Sequence, residues 1–300
     1  MSEGIARLRP NDPERLGPFR LFGVLGNGGA GTVYLGRGAA RRGTRKRTAA
    51  VRAIRPELLR DRQLRARLRQ ETARISSSVN SPFVAEPLGC ELDGDRPWAA
   101  TRFVPGLPLA ALVASSGPLP EKSVRALGGA LARALASLHE AETVHGDLRP
   151  GNVLLTVEGP CLVDCGAYLG RSLTARDGGG FPHAPADGFG PAARRAEDMF
   201  GLGVVLALAA SARYPFAGQL PMTREGPDLS GVPATLHAPV LACLHKTPEA
   251  RPRPEVLVRA LDLSGVAGRP DREWLPGPHL ERIRERARAA RSLTARHLLR

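Results

Sequence analysis

Between Val144 and Asp164 the chain reads VHGDLRPGNVLLTVEGPCLVD, and it gathers His145, Asp147, Asn152 and Asp164 into one short stretch. Phosphoryl transfer uses such a set: a carboxylate near the attacking hydroxyl, and hard oxygen ligands for Mg²⁺ beside it. Asp147 and Asn152 sit on a loop, and Asp164 opens Asp164-Cys165-Gly166 after two short apolar strands that read as a hairpin. An isolated His-x-Asp is a weak signal; His-x-Asp-Leu-x-Pro-x-Asn followed by Asp-x-Gly at hairpin distance is a strong one.

Something must hold these groups in place. Upstream, Leu127, Leu131, Leu135 and Leu138 form one face of a long helix after Pro120 that delivers the chain to the loop. Downstream, Ala196 to Ala212 is apolar all round and reads as a buried helix beginning near Asp198. Far earlier, FRLFGVLG and TVYLG read as two strands around a glycine turn, with Gly26, Gly28 and Gly31 in G-x-G-x-x-G spacing and Val33 just after. A dinucleotide-binding reading requires those glycines to open a helix, whereas a strand follows them here. The next strand, AAVRAI, places Ala50, Arg52 and Ile54 on one face. Asp61 can cap a helix whose stripe holds Leu64, Leu68 and Ile75, with Glu71 on the same stripe. An inward carboxylate needs a cation to offset its desolvation, so Arg52 with Glu71 is the expected pair; a surface Glu among neighbouring Arg residues is the blander alternative. PFVAEPLGCEL and RPWAATRFV read as two further strands.

Together these stretches, from about Pro18 to Asp262, resemble the bacterial, actinobacterial-like serine/threonine protein kinases, whose H-R-D-L-x-x-x-N and D-F-G motifs are matched imperfectly. The resemblance implies an α+β, two-lobed fold with a small antiparallel β-rich lobe and a larger helical lobe. The expected boundaries are a loose tail over 1–16, the small lobe over 17–104, the large lobe over 105–264, and a linker with an Arg-rich helix over 265–300, docked on the large lobe. It further implies ATP and Mg²⁺ (or Mn²⁺) as cofactors, and a protein substrate or regulatory partner. By position, Asp147 matches the catalytic carboxylate, Arg149 a phosphate-contacting cation, and Asn152 and Asp164 the metal ligands. Gly26, Gly28, Gly31, Val33, Ala50, Arg52, Arg102, Val104 and Leu154 match nucleotide contacts. His145, Gly166, Asp198 and Arg251 match structural positions.

The chain departs from the family at Arg52 (for Lys), Gly146 (for Arg), Cys165 (for Phe), Gly179 (for Thr) and Ala186 (for Glu), with Asp187 next to the last. Arg presents a planar fork suited to a carboxylate, while Lys presents a compact charge. The expectation is therefore slowed phosphoryl transfer, with a pseudokinase, a kinase-shaped binding module, as the alternative. Cys165 beside Asp164 reads as a small core side chain rather than a reactive thiol. Tyr168, Ser172 and Thr174 are hydroxyls in a glycine-rich segment after Gly166 and could accept phosphate.

Composition bounds the rest. The formal charge of +14 comes almost wholly from Arg, with Lys46, Lys122 and Lys246 the only lysines. That Arg is dispersed and aromatics make up 4% of residues, so no nucleic-acid partner is expected; an acidic membrane or partner at the C-terminal helix is the minority reading. Four cysteines in no metal or disulfide spacing, charges where a leader needs an apolar run, and no stretch long enough to span a bilayer give a cytoplasmic expectation. The oligomeric state is not legible.

Overall fold

The computed structural model describes residues 4–39, 45–165, 190–216, 226–261 and 273–295. Its first lobe is an antiparallel sheet of β1 (Arg15–Leu16), β2 (Phe19–Gly28), β3 (Gly31–Gly38), β4 (Arg47–Ile54), β5 (Pro87–Glu91) and β6 (Trp98–Arg102), in the order β1-β2-β3-β4-β6-β5. Alternation sorts its side chains. Phe19, Leu21, Tyr34, Ala49, Val51, Trp98 and Ala100 bury one face, with Phe19 edge-on to Trp98 at 5.6 Å between centroids. On the opposite face Ile54 and Leu92 pack with Leu59 and Leu68.

Leu68 belongs to α1 (Arg62–Ser78), whose first turn is capped as expected: the Gln63 N–H donates to Asp61 Oδ1 at 2.7 Å. The β2–β3 turn depends on Gly31. Its φ is +134°, and a Cβ there would lie 1.8 Å from the Ala53 carbonyl oxygen, so no other residue fits.

The expectation of a loose tail is corrected for residues 4–16. Ala6 and Val24 exchange backbone hydrogen bonds at 2.8 and 3.0 Å, and Tyr34 donates to Asp12 Oδ1 at 2.8 Å. The tail thereby covers the open edge of β2, which would otherwise present unpaired backbone groups. It also makes the sheet six-stranded, one more than the sequence reading had.

The second lobe is helical: α2 (Leu109–Ser116), α3 (Glu121–Glu140), α4 (Pro191–Ser211), α5 (Ala234–Cys243), α6 (Pro254–Leu261) and α7 (Gly277–Ala295). Leu127, Leu131, Leu135 and Leu138 of α3 are fully buried, and α4 is buried on every side from Asp198 to Ala210. A small sheet ordered β7 (Leu107–Pro108), β8 (Val153–Leu155), β9 (Pro160–Leu162) lies between the lobes.

The C-terminal helix is placed differently from the sequence reading. Leu280 and Ile283 do join the large-lobe core, and Arg282 donates to Ser115 Oγ at 2.9 Å and Ser116 Oγ at 2.5 Å. Ahead of the helix, Trp274 Nε1 donates to the Thr156 carbonyl at 3.0 Å. But α7 continues onto β2 and β3 of the other lobe, with a Leu293 methyl 3.8 Å from where a Gly23 Cβ would stand. It straps the two lobes together. Among the described residues no helix is long and apolar enough to cross a membrane.

Candidate active site

The loop over residues 144–152 is built upward from one buried carboxylate. Asp198, at 2% exposure, needs donors to offset its desolvation. It receives three: the His145 N–H at 2.9 Å, the Gly146 N–H at 2.9 Å, and His139 Nε2 at 2.9 Å. His145 then carries the restraint forward. The Asp147 N–H donates to His145 Nδ1 at 3.2 Å, so the ring proton is on Nε2, which donates to the Val163 carbonyl at 3.0 Å. Val163 in turn donates its N–H to the Asn152 carbonyl at 3.0 Å. The loop and the residue before Asp164 are thus tied together from both sides. Gly146 takes φ +81°, a backbone region that residues with a Cβ rarely adopt.

These ties bring Asp147 and Asn152 together. Asn152 Nδ2 donates to the Asp147 carbonyl at 2.8 Å and to Asp147 Oδ2 at 3.0 Å. With the amide nitrogen turned inward, its Oδ1 is left as an acceptor. Arg149 Nε also donates to Asp147 Oδ2, at 3.1 Å, leaving Asp147 Oδ1 without a partner among the described residues. Asp164 follows β9 at φ +63°, a strained position for a residue with a Cβ.

The pairing of Arg52 is the main correction. Its guanidinium forms an ion pair with Asp164, not Glu71. Burial alone would raise the Asp164 carboxyl, but the charge and hydrogen bond of Arg52, with lesser help from His145 and Arg149, hold it below the usual carboxylate range. Glu71 takes its hydrogen bond from the Thr143 hydroxyl. The physical reason is reach: a long, forked side chain finds the carboxylate across the cleft, while α1 lies against the root of the loop. Cys165 packs against the large-lobe core, and burial, then Cys161, Asp198 and Asp164, push its thiol well above its ordinary value. It is a half-buried thiol at the margin of that core.

Across the cleft, strand register aligns the other candidates. Gly26 pairs with Val33 and Val33 with Arg52, while Ala50 lies between Leu35 and Thr101. Among the described residues nothing lies within 4 Å of a Cβ built on Gly26 or Gly28, so those residues do not require glycine there. A cradle for a bulky group would. At the connector the Arg102 N–H is used by the Glu86 carbonyl at 2.8 Å and the Phe103 N–H by that of Thr48 at 3.1 Å. The Val104 N–H has no partner among the described residues. Val104 packs with Leu154, Cys161, Ala85 and Val163 in one apolar patch. Arg251 donates to the Ala196 carbonyl at 3.0 Å and the His245 carbonyl at 2.9 Å, stacking over Phe200. Gly166, Gly179, Ala186, Asp187, Tyr168, Ser172 and Thr174 lie outside the described residues.

Sequence reasoning missed His139, Thr143, Thr101 and Val163. His139 and Thr143 are buried polar residues bracketing the end of α3, a signal no periodicity carries; Thr101 needed only the register with Ala50.

A six-stranded antiparallel sheet over a helical lobe, with Asp147, Asn152 and Asp164 at their junction, defines a two-lobed protein-kinase-like fold. The chain belongs to the protein kinase family: the protein kinase domain model matches residues 19–170. Within it the chain is similar to actinobacterial serine/threonine kinases. It is 34% identical to serine/threonine-protein kinase AfsK of Streptomyces griseus over 97% of this chain and 38% of that protein. It is 34% identical to AfsK of Streptomyces coelicolor over 91% and 36%, and 33% identical to probable serine/threonine-protein kinase PkwA of Thermomonospora curvata over 92% and 37%. The chain therefore spans well under half the length of these relatives.

Proposed function

We propose that this chain binds Mg-ATP between its lobes and transfers the γ-phosphoryl group to a serine or threonine hydroxyl of a protein, at a reduced rate. The observation that carries this reading is the Asp147–Asn152 pairing, which commits one oxygen of Asp147 and the amide nitrogen of Asn152, and presents the remaining oxygens. Asp147 Oδ1 is the group to orient the substrate hydroxyl and accept its proton. Asn152 Oδ1 and the Asp164 carboxylate are hard oxygen donors, suited to a Mg²⁺ that keeps waters and takes its other ligands from phosphates. Bound Mg-ATP supplies the phosphoryl group and the charge neutralisation for its transfer. Gly26 and Gly28 leave room over the phosphates, Val104 offers its N–H and apolar side chain to the base, and Leu154 and Val33 enclose it. Arg149, with its side chain 42% exposed, reaches toward solvent where the transferred group would sit.

The Arg52–Asp164 pair is the reason for reduced rate. Arg52 competes with the metal for Asp164 and is not poised as a phosphate clamp; misplacement of one positioning group costs on the order of 10²-fold. The same pair favours a second reading, a pseudokinase that acts as a nucleotide-binding or purely protein-binding regulatory module. Incorporation of radiolabelled phosphate from ATP with Mg²⁺ or Mn²⁺, set against Asp147→Asn, separates them. Incorporation lost only in the variant supports transfer; equal incorporation in both proteins rules it out.

A further inference from the structure

Helix α1 is fastened to the root of the catalytic loop by bonds that bypass the strand cation. Thr143 is 2% exposed, and its N–H is held by the Leu138 carbonyl at 3.0 Å, which fixes its backbone to the end of α3. Its hydroxyl donates to Glu71. One residue earlier, Glu142 sits at φ +53°, and Arg74 Nη1 donates to its carbonyl at 3.2 Å and its carboxylate at 3.3 Å. Glu71 and Arg74 are neighbours on one face of α1. They grip residues 142–143, immediately before His145 and Asp147. Arg52 takes no part, being committed to Asp164.

We propose that Thr143 is a positioning residue: its hydroxyl, in the place of a strand cation, holds Glu71 and so couples the seating of α1 to that of Asp147. The proposal rests on reading Asp147 as the catalytic carboxylate, but the anchoring itself can be tested without catalysis. A hydroxyl is a short, neutral donor, so it serves Glu71 only while α1 lies against the loop. A half-buried carboxylate that loses that donor keeps its desolvation cost. Movement of α1 is therefore felt two residues from His145 and four from Asp147.

Native-state amide exchange of α1 decides the matter in the full chain. Thr143→Val, which keeps the shape and removes the donor, should raise exchange over residues 70–77 by on the order of fivefold. Thr143→Ser, which restores the hydroxyl, should match the parent. In a Glu71→Ala background, where no carboxylate is left to lose its donor, Thr143→Val should add nothing. Arg52→Ala should leave α1 exchange within about twofold of the parent, since a single absent contact shifts local opening only where it was made. On the transfer assay, Thr143→Val should lower turnover at saturating ATP with KM for ATP unchanged. Loss of the kinase reading alone would appear as absent transfer with the exchange pattern intact. Unchanged exchange in Thr143→Val, a Thr143→Val effect that persists undiminished in the Glu71→Ala background, or exchange raised as much by Arg52→Ala, overturns the proposal.

Discussion

Replacing Arg52 with Met removes the charge facing Asp164 while retaining an unbranched apolar stem of similar reach. The two side chains are 18% and 30% exposed, between a surface pair, worth about 0–1 kcal/mol, and a fully buried one, where loss of a partner costs about 3–5 kcal/mol. A loss of about 1–2 kcal/mol at neutral pH follows, or roughly 1.5–3 °C in Tm for a chain of this size. The pH dependence is the sharper readout. Because the folded-state carboxyl lies below its unfolded value of 3.8, its contribution is full above that value and fades as pH falls through the depressed folded pKa. Without Arg52, burial is opposed only by His145 and Arg149, so the folded pKa rises and stability is lost at higher pH. Thermal unfolding of parent and Arg52→Met between pH 3 and 8 measures both effects. A variant with unchanged Tm at neutral pH and an unshifted acid limb refutes the reasoning, since Asp164 would then owe nothing to Arg52.

Arg52→Lys, which exchanges the fork for a compact charge, should raise either ATP affinity or transfer rate; no change in either places the defect elsewhere than the clamp. Gly31→Ala should cost at least about 2–3 kcal/mol, because a Cβ meets the Ala53 carbonyl at 1.8 Å and φ is +134°; parent-like denaturant unfolding contradicts the turn geometry. Leu293→Glu places a charge where the strap helix approaches Gly23 of β2. It should speed amide exchange in β2 and β3 while leaving α3 protected, and unaltered β2–β3 exchange contradicts the strapping of the lobes by α7.

Much of this architecture was readable in the chain because local pattern and tertiary demand agree. The β2–β3 hairpin follows from period-two alternation broken by glycines, and α3 from leucines at helical spacing whose whole stripe is buried. Asp198, Asn152 and Asp147 were singled out because their types and spacing have few uses, and the structure ties all three into one loop. What escaped has equally physical causes. Which carboxylate Arg52 chooses depends on the distance across a cleft, and Glu71 and Asp164 are equivalent partners to a sequence reading. The tail over residues 4–16 pairs with β2 through a single bridge and a two-residue strand, too short to leave a period. The strap helix carries a thin apolar stripe of Leu280, Ile283 and Ala287 that names no partner, and its contact with β2 and β3 of the first lobe leaves no period of its own.

The central claim is that Asn152 and Asp164 hold a metal-bound triphosphate beside Asp147. Thermal unfolding of the parent with ATP, with and without Mg²⁺, tests it most directly, because binding to the folded state alone raises Tm by mass action. The account predicts a rise of several degrees that requires both ATP and Mg²⁺ and disappears in Asp164→Asn. A Tm indifferent to ATP and Mg²⁺ together, or a rise that Asp164→Asn retains in full, contradicts it.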